Sequence, residues 1–221
     1  MQDDRSQRAR YLGFVAHEIK NPLSTALWSA DLLKRLDTVD RSGPRADKMM
    51  DASLRALRRM RRLVDDFFTI ERLDQKVLDV RKEPVGLRAT IEGAIGLLAE
   101  KERAEASAWS LDVPAELTSD CDGELFKRAL RAIFERAFRS GTGPLSIVGQ
   151  ALAGHSTLWV GRRDVKPATP LVPPPPEEQS GGDPDGSVLG FLLAQTVIAC
   201  HGGSMVEESG GLRVKLPQTA G

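Results

Sequence analysis

Cysteine is almost absent from this sequence. Only Cys121 and Cys200 occur among 221 residues, far apart and without a second pair at the spacing of metal ligands. A disulfide framework and a zinc site are therefore not indicated, and no metal site is predicted from these residues. We expect both cysteines to behave as small, buried apolar residues.

An excess of charge of either sign is also missing. The chain has 31 basic and 31 acidic side chains, whereas nucleic-acid-binding domains usually carry a clear basic excess. The one basic run, RALRRMRR at 55–62, has no aromatic residue for base stacking. We interpret it as a solvated helix face that an acidic protein partner could also contact. No nucleic-acid partner is predicted.

Long apolar runs are missing as well. No stretch approaches the roughly 18 uninterrupted apolar residues of a membrane span, so no membrane span is predicted. The N-terminal MQDDRSQRAR lacks the apolar core of a secretory signal, so we expect a cytoplasmic location. With 41% apolar and 5% aromatic residues, the composition is typical of a globular protein of one or two domains.

Two helical patterns fill residues 1–76. Apolar residues recur at three- and four-residue steps from Arg5 to about Leu36, and again from about Met50 to Leu73. The segment DTVDRSGPRAD at 37–47 predicts a turn between them. Two long helices joined by a short turn form an antiparallel hairpin, whose apolar stripes need a further partner surface. Pairing of two copies into a homodimeric four-helix bundle is the simplest solution.

The remaining residues, 77–221, mix strand and helix patterns. Strand patterns occur in VLDVRKEPV at 77–85, in SIVGQALAGHSTLWVGRRD at 146–164 and in a terminal hairpin within HGGSMVEESGGLRVKL. Helices are predicted for LRATIEGAIGLLAEKERA, for DGELFKRALRAIFERAFRSG and for the segment from about Ser187 to Ala199. The tract KPATPLVPPPPEEQSGGDPDGS at 166–187 is expected to be an extended or disordered loop. The predicted fold class is α+β, with a helical hairpin followed by an α/β sandwich.

The stretch FVAHEIKNPLSTAL at 14–27 carries the candidate chemistry. Imidazole titrates near neutral pH, so the neutral ring of His17 can act as a nucleophile, and Glu18 could accept a ring proton. Asn21 lies one helical turn further on and could orient a water. Pro22 lacks an N–H, which would free the carbonyl of Glu18 and bend the helix. The alternative is a buried bundle histidine with an incidental kink; a zinc protease motif would need histidine in place of Asn21.

HEIKNPLS, followed by a helix ending LVDDFFTIERLD and by LDVRKEPVGL, resembles the dimerisation and phosphoacceptor domain of two-component sensor histidine kinases, closely over residues 11–36. The resemblance implies that His17 carries a phosphoryl group, that Glu18 supports kinase or transfer chemistry and that Asn21 supports phosphatase action. It also implies a response-regulator receiver domain as partner. For residues 77–221 it implies the fold of that family's ATP-binding domain.

In that family the second domain binds ATP and Mg²⁺, and a helical asparagine ligates the metal. In the matching helix Arg136 stands in place of that asparagine, and Ala132 occupies the preceding asparagine position. A guanidinium has no lone pair to offer a hard cation, which requires oxygen ligands. Magnesium binding in the manner of the family is therefore not predicted, although Arg136 could partly substitute as a cation.

The two glycine-containing motifs of the nucleotide site are also altered. Asp164 matches the residue that receives adenine, but Lys166 and then alanine replace the glycines that follow it. Gly186 and Gly190 match the phosphate-binding loop, with Val188 in place of the middle glycine. A shared fold with a decayed nucleotide site is the resulting prediction. Residual nucleotide contacts at Asp164, Gly186 and Gly190 stay open.

These observations lead to one favoured function and two alternatives. The favoured function is a histidine phosphotransfer protein or phosphatase that exchanges phosphate between His17 and a response-regulator aspartate. The alternatives are an active sensor histidine kinase with a divergent ATP site and a non-enzymatic pseudokinase scaffold. No sensor or receiver domain is evident, so the input is expected to come from another protein or from a larger parent protein.

Overall fold

The computed structural model describes residues 2–37, 40–139, 143–152, 154–163, 187–208 and 210–218; for residues 2–12 and 187 it describes the backbone alone. The helices are α1 (Gln2–Arg35), a 3-10 turn (Asp40–Ser42), α2 (Pro44–Asp74), α3 (Leu87–Gly96), α4 (Glu100–Ala106), α5 (Gly123–Arg139) and α6 (Ser187–Cys200). The strands are β1 (Glu83–Gly86), β2 (Ser110–Asp112), β3 (Thr118–Cys121), β4 (Leu145–Leu152), β5 (His155–Arg162), β6 (Ser204–Glu208) and β7 (Gly211–Pro217).

The described residues form two compact units. One contains the chain up to Thr69 and residues 187–189, and the other contains the rest from Ile70 onward. This division falls within α2. The domain boundary that the sequence suggests between residues 76 and 77 stays a prediction.

The predicted helical hairpin is present as α1 and α2, but its turn is shorter than the expected 37–47. Helix α2 already begins at Pro44, because proline suits the first position of a helix, where its missing N–H needs no partner. The guanidinium of Arg41 donates to the carbonyls of Lys34 and Leu36 at 3.0 and 3.1 Å. These bonds satisfy carbonyls that the end of α1 leaves without a helical partner.

One row of buried positions runs along each of α1 and α2. We infer that the two rows face each other, and we call these positions the seam. In α1 the seam consists of Val15, Glu18, Pro22, Ala26 and Ser29; in α2, up to Thr69, it consists of Ala46, Ala56, Leu63, Asp66 and Thr69. Most of the steps are of three or four residues or their multiples, the spacing of one helical face. The Ser53 hydroxyl donates to the carbonyl of Ala26 at 3.4 Å and fixes which residues lie level with one another.

The second unit contains a five-stranded sheet in the order β2-β4-β5-β7-β6 and a two-stranded sheet of β1 and β3. Strand β2 runs parallel to β4, and the other neighbouring pairs are antiparallel. Helix α5 packs on β5 and β7 and against α3. Its buried face includes Phe126, Ile133 and Phe134, which together with Trp159 of β5 lie in the core. The predicted α+β fold class is thus confirmed.

Most elements of this unit follow the sequence patterns. The β4–β5 hairpin, α5, α6 and the terminal β6–β7 hairpin all lie where they were predicted. The expected strand at 77–85 is wrong in extent, since pairing with β3 begins only at Glu83. The segment 87–104, predicted to be helical, contains two helices, because α3 ends at Gly96, a residue of low helix propensity, and α4 begins at Glu100. The proline-rich tract at 166–187 lies outside the described residues except for Ser187.

The two cysteines differ in their surroundings. Cys121 in β3 is fully buried, as expected, and burial, with added repulsion from Asp122, Asp120 and Glu83, raises its pKa to about 12. The expectation of burial is wrong for Cys200, which is half-buried at the end of α6. Burial also raises the pKa of Cys200. A thiol with a raised pKa has little thiolate at neutral pH, so neither residue is a candidate nucleophile.

Candidate functional site

The candidate site lies on α1, on one side of the seam. Successive helical residues are rotated by about 100°, so a residue that precedes a seam position lies on one side and a residue that follows it lies on the other. His17 and Asn21 precede the seam residues Glu18 and Pro22, and both of their side chains are exposed. We call this side of the hairpin the histidine flank. His17 and Asn21 are one turn apart on it.

Glu18 does not share this exposure. Its side chain is only 2% exposed and lies in the seam, whereas the neighbouring His17 side chain faces solvent. The burial could have been expected from the three- and four-residue steps that place Glu18 in register with Val15 and Pro22. A buried carboxylate contributes an electrostatic field that water screens less than it would at the surface. The proposed role of Glu18 beside His17 stays a prediction.

Pro22 lies inside a continuous helix. Helix α1 extends from Gln2 to Arg35 through this residue, and the Pro22 side chain is buried in the seam. One turn further on, the Thr25 hydroxyl donates to the carbonyl of Asn21 at 3.2 Å. Such back-bonding of a hydroxyl to the preceding turn is a local feature that often accompanies helix bending. The bend suggested by the sequence stays a prediction.

The other two histidines have different environments. His155 is the first residue of β5 and pairs with Leu152 of β4. His201 is 1% exposed; its Nδ1 lies 2.6 Å from the carbonyl of Val197, and its Nε2 accepts a bond from the backbone N–H of Asp122 at 2.8 Å. These contacts require a neutral ring with its proton on Nδ1. Burial lowers the pKa of His201, and the residue is structural.

Only part of the second predicted site lies in the described residues. Asp164 and Gly186 lie outside them. Gly190 is in α6, where a Cβ atom would come within 3.3 Å of the Cβ of Ala132 in α5. The absence of a side chain at Gly190 therefore allows α5 and α6 to approach closely. This packing explains the glycine without a bound nucleotide.

Arg136 is held by partners from two other elements. Its guanidinium donates through Nε at 2.9 Å, and also through Nη2, to one carboxylate oxygen of Glu207 in β6. It also stacks over the ring of Phe191 in α6, 4.3 Å from the ring centroid. Sequence reasoning missed this arrangement because Glu207 lies 71 residues from Arg136. The positive charge suggested as a substitute cation is already balanced by Glu207.

The described residues do not fit the magnesium ion that the family resemblance implies. Arg136 and Ala132 offer no oxygen ligand at the two asparagine positions, and Arg136 is a donor only. Across the part of the chain that the structure describes, no cluster of three His, Cys, Asp or Glu side chains could hold a metal.

Comparison with known proteins identifies the class of the hairpin. Residues 7–76 match the family described as "His Kinase A (phospho-acceptor) domain". The sensor histidine kinase MtrB of Mycobacterium tuberculosis (strain ATCC 25618 / H37Rv) is 28% identical over 129 residues, which is 58% of this chain and 22% of that protein. MtrB of Mycolicibacterium paratuberculosis (strain ATCC BAA-968 / K-10) is 30% identical over 132 residues, with the same shares of the two chains.

Solved structures agree on the fold. The Acinetobacter baumannii histidine kinase AdeS aligns over 92% of this chain and 98% of its own, with a TM-score of 0.66 and 17% identity. Full-length ShkA in complex with AMPPNP aligns over 96% of this chain and 47% of its own, with a TM-score of 0.55 and 18% identity. The hairpin and the sheet domain together define a protein of histidine kinase architecture.

Together these comparisons support a two-component sensor histidine kinase family for this chain, with the phosphoacceptor domain at residues 7–76. It spans 22% of the length of the curated relatives described above. None of the helices that the structure describes is long and apolar enough to cross a membrane.

Proposed function

We propose that this chain is a two-component signalling protein in which His17 exchanges a phosphoryl group with the aspartate of a response-regulator receiver domain. It would act as a phosphotransfer protein or as a phosphatase. The observation that supports this most directly is the exposure of His17, with Asn21 one turn away on the same flank. A partner can reach both side chains without opening the seam.

In the transfer direction, a ring nitrogen of neutral His17 attacks the phosphorus of the receiver's phosphoaspartate. The N–P bond forms as the P–O bond of the acyl phosphate breaks, and the aspartate leaves as a carboxylate. The proton on the other ring nitrogen stays on the ring or passes to water. Glu18, held in the seam next to His17 in the chain, would tune the ring through the field of its carboxylate.

In the phosphatase direction, Asn21 would orient a water molecule for attack on the same phosphorus. The water oxygen forms the new P–O bond, the aspartate again leaves as a carboxylate, and the water proton passes to phosphate or solvent. The Asn21 side chain is exposed and its amide can both donate and accept a hydrogen bond. Correct placement of the water is the whole contribution expected of Asn21.

The side of the hairpin opposite the histidine flank supports dimerisation. Leu23 and Leu27 follow seam residues of α1, and Leu54 and Leu57 lie on the corresponding side of α2. Their side chains are 40 to 60% exposed, and we call this side the apolar flank. A surface of this kind on a hairpin is typical of an interface. We propose that a second copy of the chain covers it to form a four-helix bundle.

Phosphotransfer can be tested without ATP. A panel of receiver domains, each phosphorylated with acetyl phosphate, is mixed with the protein, and label on the protein and on the receiver is followed. We expect His17→Ala to abolish labelling of the protein. Asn21→Ala should retain labelling of His17 but slow receiver dephosphorylation by up to about a hundredfold, because the water is no longer held in place. Unchanged dephosphorylation in Asn21→Ala would contradict the role of the amide.

Calorimetry with ATP and magnesium, followed by incubation with labelled ATP, tests the decayed nucleotide site. We expect neither binding nor incorporation, because Arg136 is paired with Glu207 and offers no ligand. Label on His17 from ATP would instead identify an active kinase. If receivers also failed to transfer phosphate, a scaffold function would remain.

A further inference from the structure

The arginines of α2 are not explained by the proposed chemistry or by the dimer. Five of them lie within eight residues, at 55, 58, 59, 61 and 62. Arg55 precedes the seam residue Ala56, and Arg62 precedes the seam residue Leu63. Arg58 lies three residues after Arg55 and four before Arg62, so these three follow one stripe of the helix. We call Arg55, Arg58 and Arg62 the arginine strip.

The arginine strip and His17 lie on the same side of the hairpin. When two antiparallel helices pack face to face, the residues that precede seam positions lie on the same side in both helices, because reversing the direction of one helix reverses its apparent rotation. His17 precedes Glu18 in α1, just as Arg62 precedes Leu63 in α2. The strip therefore belongs to the histidine flank, away from the apolar flank.

The register of the hairpin places the strip beside the candidate site. The hydrogen bond between Ser53 and Ala26 sets the two helices level at those residues. Arg62 lies nine residues after Ser53, and His17 lies nine residues before Ala26, so the two are level. By the same reasoning, Arg58 is level with Asn21. All three arginines are exposed, and Arg55 and Arg58 form no ion pair with another described residue.

We propose that the arginine strip binds an acidic surface that surrounds the phosphorylated aspartate of the partner receiver domain. This inference rests on the proposed function. The arginine strip is about 10 Å long. Because this length exceeds the size of one phosphoryl group, the strip fits an extended acidic surface better than a single phosphate. Its charge is complementary to a phosphorylated acidic pocket and would steer the encounter.

Trp28 marks the direction in which the partner extends. It precedes the seam residue Ser29, so it lies on the histidine flank, and its side chain is 65% exposed. Both Trp28 and Arg55 lie on the side of His17 that leads towards the turn of the hairpin. An exposed tryptophan on the same flank as exposed arginines has the composition of an interface. The partner would thus contact the flank from the level of His17 towards the turn.

The test uses Arg55→Glu/Arg58→Glu in the full chain and the receiver that transfers fastest in the panel above. At 50 mM salt and subsaturating receiver, we expect the transfer rate to fall at least about tenfold, with the rate at saturating receiver nearly unchanged. The wild-type rate should fall steeply as salt is raised, and the variant should show a flatter dependence. Arg55→Gln/Arg58→Gln should give an intermediate loss.

Lys101→Glu/Arg103→Glu is the matched control, since it makes the same change of net charge on exposed positions of α4. This control variant should transfer phosphate at the wild-type rate.

Equal phosphotransfer rates for the strip variant and the wild type would overturn the docking role of the arginine strip and leave the proposed function intact. Transfer from no receiver to the wild type would overturn both. Strip-dependent binding of a 30-base-pair DNA duplex at 150 mM salt would instead assign the strip to nucleic acid.

Chemical phosphorylation with phosphoramidate separates a docking defect from damage to His17. In this reaction a histidine nitrogen attacks phosphorus and ammonia leaves, so no receiver is needed. We expect the strip variant and the wild type to be labelled on His17 to the same extent. A parallel loss of labelling by phosphoramidate would show that the arginines act on the histidine itself, and would overturn the docking role.

Discussion

The guanidinium of Arg136 lies 4.3 Å from the ring centroid of Phe191, and this stack joins α5 to α6. The same guanidinium is hydrogen-bonded to Glu207. Arg136 stands at the position where the family resemblance implies a magnesium ligand, and in this structure its contacts stabilise the packing of the second unit instead. This pairing of Arg136 with Glu207 and Phe191 supports the proposal that the nucleotide site is decayed.

Arg136→Asn should therefore destabilise the second unit without creating an ATP site. We expect a loss of roughly 1 kcal/mol, mostly from the stack, because the exposed ion pair contributes little. Urea unfolding can be followed by fluorescence in a Trp28→Phe background, in which the remaining tryptophans, Trp109 and Trp159, report on the second unit. Glu207→Gln should cost only a few tenths of a kcal/mol. An equal cost for both variants would show that the ion pair matters more than the stack.

His201 should make the second unit less stable in mild acid. Its pKa in the folded protein is lowered, chiefly by burial, so the unfolded chain binds a proton at a higher pH than the folded protein does. Stability is complete above the pKa of the unfolded histidine and is lost as the pH falls below it. Protonation would also remove the acceptor for the N–H of Asp122, at the start of α5.

Urea midpoints between pH 8 and pH 5 check this expectation. His201→Gln should be less stable than the wild type at pH 8, and the difference between them should shrink towards pH 5. His17→Gln is the matched control, because His17 is exposed, and its midpoints should follow those of the wild type. A constant difference between His201→Gln and the wild type would refute the titration.

The ring of Trp159 leaves no room for a side chain at position 161, which is a glycine. A Cβ atom at Gly161 would overlap the indole ring of Trp159, which lies on the same face of β5. Gly161→Ala should cost about 2 kcal/mol or more, because neither the buried ring nor the sheet backbone can move freely. Gly96→Ala, at a position with nothing within 4 Å, should be neutral or stabilising. In a Trp159→Leu background, Gly161→Ala should reduce the free energy of unfolding by less than it does in the wild type. A double-mutant cycle measures this difference.

Local patterns explain how much of this structure could be predicted. The helices α1, α2, α5 and α6 repeat apolar residues over many turns, so their existence follows from sequence alone. Strands β2 and β3 have only three and four residues and were missed, since such short runs carry no readable alternation. They exist because β4 and β1 offer them hydrogen-bonding partners.

The candidate site shows the same limit. His17 and Asn21 could be placed one turn apart from their spacing, because that relation lies within one helix. That Arg62 lies at the same height along the hairpin as His17 follows from the hydrogen bond between Ser53 and Ala26. A pattern within one helix does not contain this information. The pair of Arg136 and Glu207 likewise joins elements far apart in the chain. Relations between elements are thus the part that required the structure.

The apolar flank gives a prediction for the oligomeric state. Leu27→Glu/Leu54→Glu places charges in the proposed interface, where each would lose hydration without gaining a partner. We expect a dimer for the wild type and a monomer for this variant by light scattering at micromolar concentration. Trp28→Glu is the control, since Trp28 is even more exposed than Leu27 but lies on the histidine flank. The Trp28→Glu variant should remain dimeric and lose receiver binding. If it were monomeric, the dimer interface would lie on the histidine flank, and the proposed apolar flank would be wrong.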